Sequence, residues 1–449
     1  MVDDSGSLAA GGLEPTAPEE LDASPQQSAE QEEAIVSTAP ELLAGSLGEY
    51  LHAWRQRVRT GDSGPLPIIV GLIVVVIFFQ VERSEFLSAL NIVNLLVQAA
   101  VFVLFGAAEI FALVLSEIDL STGYVAGVAG FTIAELITTP VNFPWWLGVL
   151  CGFAVAATIG VLQGTLITRL RLPSFVVTLG GLLLWEGVML ELATIDKTAV
   201  GGVVSISTTS PVYELVNGNM STALGWIVLA ASVGGFAVLT LTRAARRRRM
   251  GLSAPPLSIT LITIAAVAIA GFALVYVCNL NRGLLIPLRG VPWVVPFVAI
   301  VLIAWSVLLG RTRLGRYIYA IGANPEAARR AGVNVARVRT LGFMLCSLTA
   351  GMAGLVYESR LGSMATDIDG GSLVLYAVAS AVIGGASLFG GRGKPLHALL
   401  GGVLVAAVFN GLGLMGINAA GQDIATAIVL VVAAAVDSLL RRRSATGGA

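Results

Sequence analysis

Apolar residues run along this chain in blocks of about twenty, separated by short polar connections, from position 66 to position 440. The blocks lie near 66–82, 91–116, 121–139, 145–168, 173–195, 223–242, 257–278, 293–310, 337–357, 371–390, 396–416 and 422–440. They do not alternate apolar and polar residues, as the strands of a membrane barrel would. Each is long enough to cross a hydrocarbon layer of about 30 Å as a helix. The pattern predicts an all-α, polytopic helical membrane protein with about 10–12 transmembrane helices. The connections within 91–116/121–139 and 371–390/396–416 are so short that one member of each pair is a candidate re-entrant helix.

One polar stretch interrupts the pattern, "GRYIYAIGANPEAARRAGVNV" at 315–335. Asn324 suits an N-cap, Pro325 the first helical position, and Glu326 the positive end of a helix. Ala327, Ala328, Arg329, Arg330 and Ala331 continue it, and Gly332 suits the left-handed position that ends it. A helix of about two turns is too short and too polar to cross a membrane, so it lies along the surface. Its arginines could meet anionic lipid, but the apolar face of two alanine turns is small. The capping favours a docking surface.

Charge divides the chain into four regions. Residues 1–50 hold 11 acidic side chains and no Lys or Arg. Such a segment buries too little apolar surface to offset the entropy of ordering. It is expected to be a disordered acidic cytoplasmic tail, and it lacks the pattern of a signal peptide. A basic juxtamembrane segment follows at 51–65, then a transmembrane domain at 66–440, then a basic cytoplasmic tail at 441–449. With the N-terminus inside and twelve alternating spans, all but five of the 27 Lys and Arg fall on the cytoplasmic face. The five are Arg83, Lys197, Arg282, Arg289 and Arg360. That asymmetry predicts two cytoplasmic termini and a cytoplasmic location for the loop 311–336.

No catalytic or metal-binding pattern emerges. The three cysteines, Cys151, Cys278 and Cys346, have neither metal nor disulfide spacing. His52 and His397 lack ligand-like neighbours. The Gly393-Lys394 pair fails as a phosphate-binding loop, because Pro395 follows it and Leu388 stands at the required upstream glycine. Gly390, Gly391 and Gly393 read as a tight turn instead.

Ionisable residues inside apolar runs are candidate functional groups. Glu109 or Glu135 would be the proton site of an ion-coupled secondary carrier, or else interhelical hydrogen-bonding groups. Asn91, Asn94 and Gln98 form a polar stripe at i, i+3, i+7. With Glu109, Asp119 and Asn410 they are the candidates for a path that carries a polyhydroxylated solute. Asp119 or Ser121 is expected to cap the helix that follows. Glycine pairs at 127/130, 180/181, 351/354 and 401/402 suit close helix packing.

Five segments in order resemble one family. They are "TRLGRYIYAIGANPEAARRAGVNV" (312–335), "EIDLSTG" (117–123), "RLPSFVVTLGGLLLWEG" (171–187), "AVIGGASLFGGRGKP" (381–395) and "FNGLGLMGI" (409–417). Together they resemble ATP-binding-cassette (ABC) sugar-import permeases of the ribose/xylose/arabinose type, over roughly 86–440. Glu117 and the extra run near 257–278 look more like the xylose or multi-sugar branch. Glu186 departs from the family, which commonly has Arg there.

The resemblance implies a permease subunit without enzymatic activity, which imports a monosaccharide, a pentose such as xylose, across the bacterial cytoplasmic membrane. ATP and Mg would be bound by separate ABC ATPase subunits. The partners implied are those ATPases, an extracytoplasmic sugar-binding protein, a second copy of the permease in a homodimer, and the lipid bilayer. No nucleic acid is expected. The short helix would be the coupling helix, with Gly315, Arg316, Asn324, Pro325, Glu326, Ala327, Arg330 and Gly332 as its contact set. A scaffold or channel without energy coupling is the third reading.

Overall fold

The computed structural model describes residues 66–195, 201–251, 254–283, 286–366 and 368–428, with isolated positions at 48, 49, 52, 55 and 431. The expected acidic tail, most of the juxtamembrane segment, the C-terminal tail and the end of the last run, including Asp437, lie outside the described residues. What is described is almost entirely helical. The helices are α1 (Leu66–Glu82), α2 (Ala89–Val114), α3 (Thr122–Ile137), α4 (Trp145–Leu170), α5 (Ser174–Ile195), α6 (Pro211–Asn217) and α7 (Thr222–Arg249). They continue as α8 (Leu257–Asn279), α9 (Val294–Arg311), α10 (Arg313–Ala323), α11 (Pro325–Arg330), α12 (Val335–Leu361), α13 (Gly370–Ile383) and α14 (Pro395–Leu414). Residues 419–428 are again helical. Two three-residue strands, β1 (Val203–Ser205) and β2 (Ser363–Ala365), pair antiparallel with Val204 opposite Met364.

Among the described residues eight helices are long and apolar enough to cross a membrane: α2, α4, α5, α7, α8, α9, α12 and α14. Three more apolar helices, α1, α3 and α13, are shorter. At about 1.5 Å per residue, α3 and α13 reach only about 24 and 21 Å, short of a full crossing. These are the two runs whose short connections marked them as candidates for re-entry.

By contact, the chain forms two units. The smaller includes 239–262, the basic end of α7 and the start of α8. There Arg248 donates to the Pro255 carbonyl at 2.9 Å across the turn. The larger unit holds the remaining helices, with α2 at its centre. From Ala99 to Val114 every α2 residue is buried, including Phe105, Ile110 and Phe111. A helix that is apolar all round belongs where neighbours or lipid surround it. Lipid tails are as apolar as leucine, so close packing must hold such helices together. A Cβ on Gly160 of α4 would sit 2.4 Å from the Phe343 carbonyl oxygen of α12. A Cβ on Gly354 of α12 would sit 2.2 Å from the Ala126 carbonyl of α3. Gly180 is different from the other paired glycines: it faces open space, so packing does not explain it.

Candidate functional site

The polar stretch forms the elements its sequence predicts. The Thr312 hydroxyl caps α10 by accepting from the Gly315 amide at 3.1 Å. Gly315, Ile318, Ile321 and Gly322 are the buried face of α10, while Arg316 is exposed. Asn324 then ends α10 and caps α11, accepting from the Ala327 amide at 3.0 Å, with Pro325 at the first turn. Ala328 is the buried residue of α11. Glu326, Ala327, Arg329 and Arg330 are exposed, and Glu326 pairs with Arg329 at 2.7 Å. Gly332 takes φ +81° beyond its end. Asn334 caps α12, accepting from the Arg337 amide at 3.0 Å.

The elements on either side of this capped, exposed helix are tied to the transmembrane core. Arg339, in the first turns of α12, pairs with Glu117 at 3.2 Å. The Ser116 hydroxyl, just past α2, bridges two carbonyls at 3.1 Å each, Gly322 of α10 and Phe389 of the glycine turn. The Gly391 amide donates to the Val114 carbonyl at 3.0 Å. Gly390 and Gly391 both take positive φ there, as a tight turn requires. The Tyr319 hydroxyl donates to the Gly393 carbonyl at 2.5 Å, and burial pushes its phenol up from the ordinary value. These bonds join α10 and the start of α12 to the end of α2 and the turn before α14.

Beyond Ser116 the chain turns back beside α2. The Thr122 hydroxyl donates to Glu109 at 3.1 Å, although Glu109 lies five residues inside the end of α2. At about 1.5 Å per residue, α3 thus begins about 8 Å in from that end. The capping expected of Asp119 takes a different form. Its carboxylate accepts from the Ser121 amide at 3.0 Å and hydroxyl at 2.6 Å, one step before the helix. Ser121 stands at the N-cap, where its carbonyl accepts from the Val125 amide at 2.9 Å but its side chain does not bond the first turn. Gln163 of α4 donates to the Ser121 hydroxyl at 2.8 Å.

The N-terminus of α3 meets that of α13, with Gly123 and Tyr124 packed against Gly370. Two positive helix ends would repel each other, and carboxylates offset that. Asp369 caps α13, accepting from the Ser372 amide at 3.0 Å, and Glu109 and Asp119 stand at the α3 end. Tyr376 of α13 bonds Asp423.

The candidates for the path occupy different settings. Asn91 and Asn410 bond one another through both amides, at 2.8 and 3.0 Å, and so clasp α2 to α14. Gln98 is buried, and its side-chain oxygen has no partner among the described residues. Glu109 and Asp119 are fully enclosed, each with one oxygen lacking such a partner. Asn94 is exposed. Glu135 is half-buried on α3.

Asn91 and Asn94 also line a cavity of about 640 Å³ at the end of α2 far from α11. It is shared with Asn217, Asn219, Arg282 and Arg360 among others. Arg282 donates to Asn219 at 3.0 Å and the Gly290 carbonyl at 3.1 Å, and also to the Cys278 carbonyl. Burial lowers its guanidinium from the ordinary value. Sequence reasoning missed Glu358, which is buried near the far end of α12 with neither oxygen bonded among the described residues. Its place at the edge of an apolar run hid it.

The family described as branched-chain amino acid transport system / permease component matches residues 91–434. The xylose transport system permease protein of Escherichia coli (strain K12) is 30% identical over 378 residues, 84% of this chain and 92% of the relative. The fructose import permease protein of Rhizobium meliloti is 27% identical over 403 residues, 90% and 91% of the two chains. The ribose import permease protein of Escherichia coli (strain K12) is 27% identical over 370 residues, 82% and 92%. No solved structure matches. The chain belongs to this family of transport permeases, in the branch that resembles ABC sugar importers.

Proposed function

We propose that this chain is the membrane permease of an ABC importer that moves a monosaccharide into the cell. The observation that carries this reading is the likeness to xylose, fructose and ribose permeases over more than four fifths of the chain. A pentose such as xylose is the finer reading, supported by the 30% identity with the xylose permease. ATP is hydrolysed on a separate ATPase subunit, where Mg is also held, and this chain supplies no cofactor site. Two copies of the permease pack around the path. A sugar-binding protein delivers solute to the face that carries Arg360, and both termini lie in the cytoplasm.

The geometry gives the cycle a physical form. The exposed face of α11 docks in the ATPase, with Gly315, Arg316, Asn324, Pro325, Glu326, Ala327, Arg330 and Gly332 as the coupling set. Movement there passes through the Asn334 cap and the Arg339–Glu117 pair to α12 and α2. Such a lever shifts the permease between two states only if the ATPase binds them with different affinity. An ion-coupled carrier using Glu109 or Glu135 is not favoured, since the chain belongs to a family of transport permease components.

The test is uptake of radiolabelled xylose, ribose, allose and fructose by cells that carry or lack the chain, with leucine as the amino-acid control. Chain-dependent uptake of a sugar, abolished when the partner ATPase is inactivated, is the expected result. Uptake of leucine alone, or uptake driven by a proton gradient without ATP, would overturn the proposal.

A further inference from the structure

The cavity at the far end of α2 and α12 holds about 640 Å³. That lies within the range of about 300–1,000 Å³ common for small-molecule sites. At about 1.5 Å per residue, α12 is about 40 Å long. Arg360, in its last turn, thus opens onto the face opposite α11. On the proposed orientation that face is extracytoplasmic, where solute arrives.

The polar groups around the cavity divide into those already bonded and those left over. Asn91 is committed to Asn410 and to the Phe86 carbonyl. Asn217 donates to the carbonyls of Ser359 and Tyr213 at 2.6 and 3.2 Å. Asn219 and Arg282 hold each other. These bonds fix the wall. By contrast, the side chains of Arg360, Asn94 and Glu85 have neither hydrogen bond nor ion pair among the described residues. Arg360 is half-buried, and Asn94 and Glu85 are exposed, all lining the same cavity. A partly buried guanidinium without a carboxylate loses hydration without compensation. It calls for water or for a solute rich in oxygen atoms.

Ser88, which accepts from the Asn91 amide at 3.3 Å, also lines it, and the rest of the lining is apolar, with Val93, Val97, Val216 and Leu288 among the contributors. Guanidinium and amide donors, one carboxylate acceptor and an aliphatic floor suit a sugar ring, whose edges are hydroxyls and whose faces are C–H. Glu85 offsets only one of the two guanidiniums, Arg282 and Arg360, so a small anion is the alternative that the labelling test must separate from a sugar.

We propose that this cavity is where the permease first holds its monosaccharide, with Arg360 and Asn94 donating to sugar hydroxyls and Glu85 accepting from them. The inference rests on the reading of the chain as a sugar importer and adds the residues that receive the solute.

The test uses the full chain in cells with its natural partners. Arg360→Ala and Asn94→Ala are each expected to raise the KM for uptake of the transported sugar at least fivefold, with little change in maximal rate. Arg360→Lys should recover only part of the loss, because a point charge replaces a two-pronged donor. In parallel, Asn94→Cys on a Cys151→Ser background is labelled from outside with an impermeant maleimide. Cys278 and Cys346 are buried. The transported sugar, at the concentration of maximal uptake, should slow labelling at least fivefold, and a sugar that is not transported should not.

Unchanged KM in both alanine variants, or labelling indifferent to the transported sugar, would overturn the inference while uptake itself persists. Equal protection by the sugar-binding protein with and without sugar would also overturn it, and assign the cavity to protein docking. Protection of the labelled site by a small anion and not by the sugar would overturn it as well. Absence of sugar uptake by the unaltered chain would instead sink the reading beneath it.

Discussion

Gly123 and Gly370 meet backbone to backbone where α3 and α13 begin. A Cβ placed on Gly123 would lie 2.0 Å from the Gly370 carbonyl oxygen. Only hydrogen on the Gly123 Cα lets the two helix ends approach so closely, and a Cβ on Gly370 would strike the Tyr124 ring at 2.7 Å. Gly123→Ala is therefore expected to destabilise the permease by about 1–3 kcal/mol, the usual cost of overpacking. Thermal unfolding of the detergent-purified protein measures this. Gly180→Ala, inside α5 with nothing within 4 Å, serves as the control and should leave the midpoint unchanged or raise it slightly, because alanine is the better helix former.

The Asn91–Asn410 clasp predicts non-additivity. Either alanine substitution leaves a buried amide without its partner, at about 1–3 kcal/mol. The double variant removes both groups, so its loss should fall well below the sum of the singles. A thermal-stability cycle over the four proteins decides this, and strict additivity would show that the pair is not coupled.

Glu117 and Arg339 join the end of α2 to the start of α12, with side chains 11% and 28% exposed. That degree of enclosure makes the bond worth more than a surface ion pair, about 1.5–3 kcal/mol. Glu117→Gln and Arg339→Gln should each lower uptake while the protein still reaches the membrane. The exchange Glu117→Arg with Arg339→Glu should restore part of it, as measured by uptake per unit of membrane protein.

Ser116→Ala removes the one hydroxyl that bridges Gly322 and Phe389. If force passes between α10 and the glycine turn through that bridge, the variant should hydrolyse ATP yet import less sugar per ATP, by at least a factor of two. Paired ATPase and uptake assays in proteoliposomes give the ratio. An unchanged ratio would remove Ser116 from the force path.

The spans were legible because long apolar runs report length and hydrophobicity directly. The expected 66–82, 257–278 and 145–168 correspond to α1, α8 and α4 within a few residues. The local chemistry of Asn324, Pro325 and Gly332 was legible too, since caps depend on near neighbours. The depth at which a helix starts was not. The run 121–139 is equally apolar whether α3 begins at the surface or beside Glu109. Nor could spacing separate Asn91 from Asn94: the same stripe holds one amide locked to Asn410 and another facing the cavity. Arg360 stood out in the sequence only as a basic residue on the minority face. Its lack of a hydrogen-bond or ion-pair partner among the described residues is a property of packing among α2, α6 and α12.

The central claim is that α11 is where ATP-driven force is delivered to this chain. Its most direct measurement is a quantitative pull-down of the tagged permease from its native membrane in mild detergent, read by mass spectrometry. The unaltered chain is compared with one carrying a two-residue insertion within 324–332. The account predicts a near-stoichiometric subunit bearing G-x-x-x-x-G-K-[ST] with the unaltered chain and its loss with the insertion, while the permease remains folded in the membrane. Recovery of the permease without such a subunit, or equal recovery of that subunit with the insertion, would contradict it.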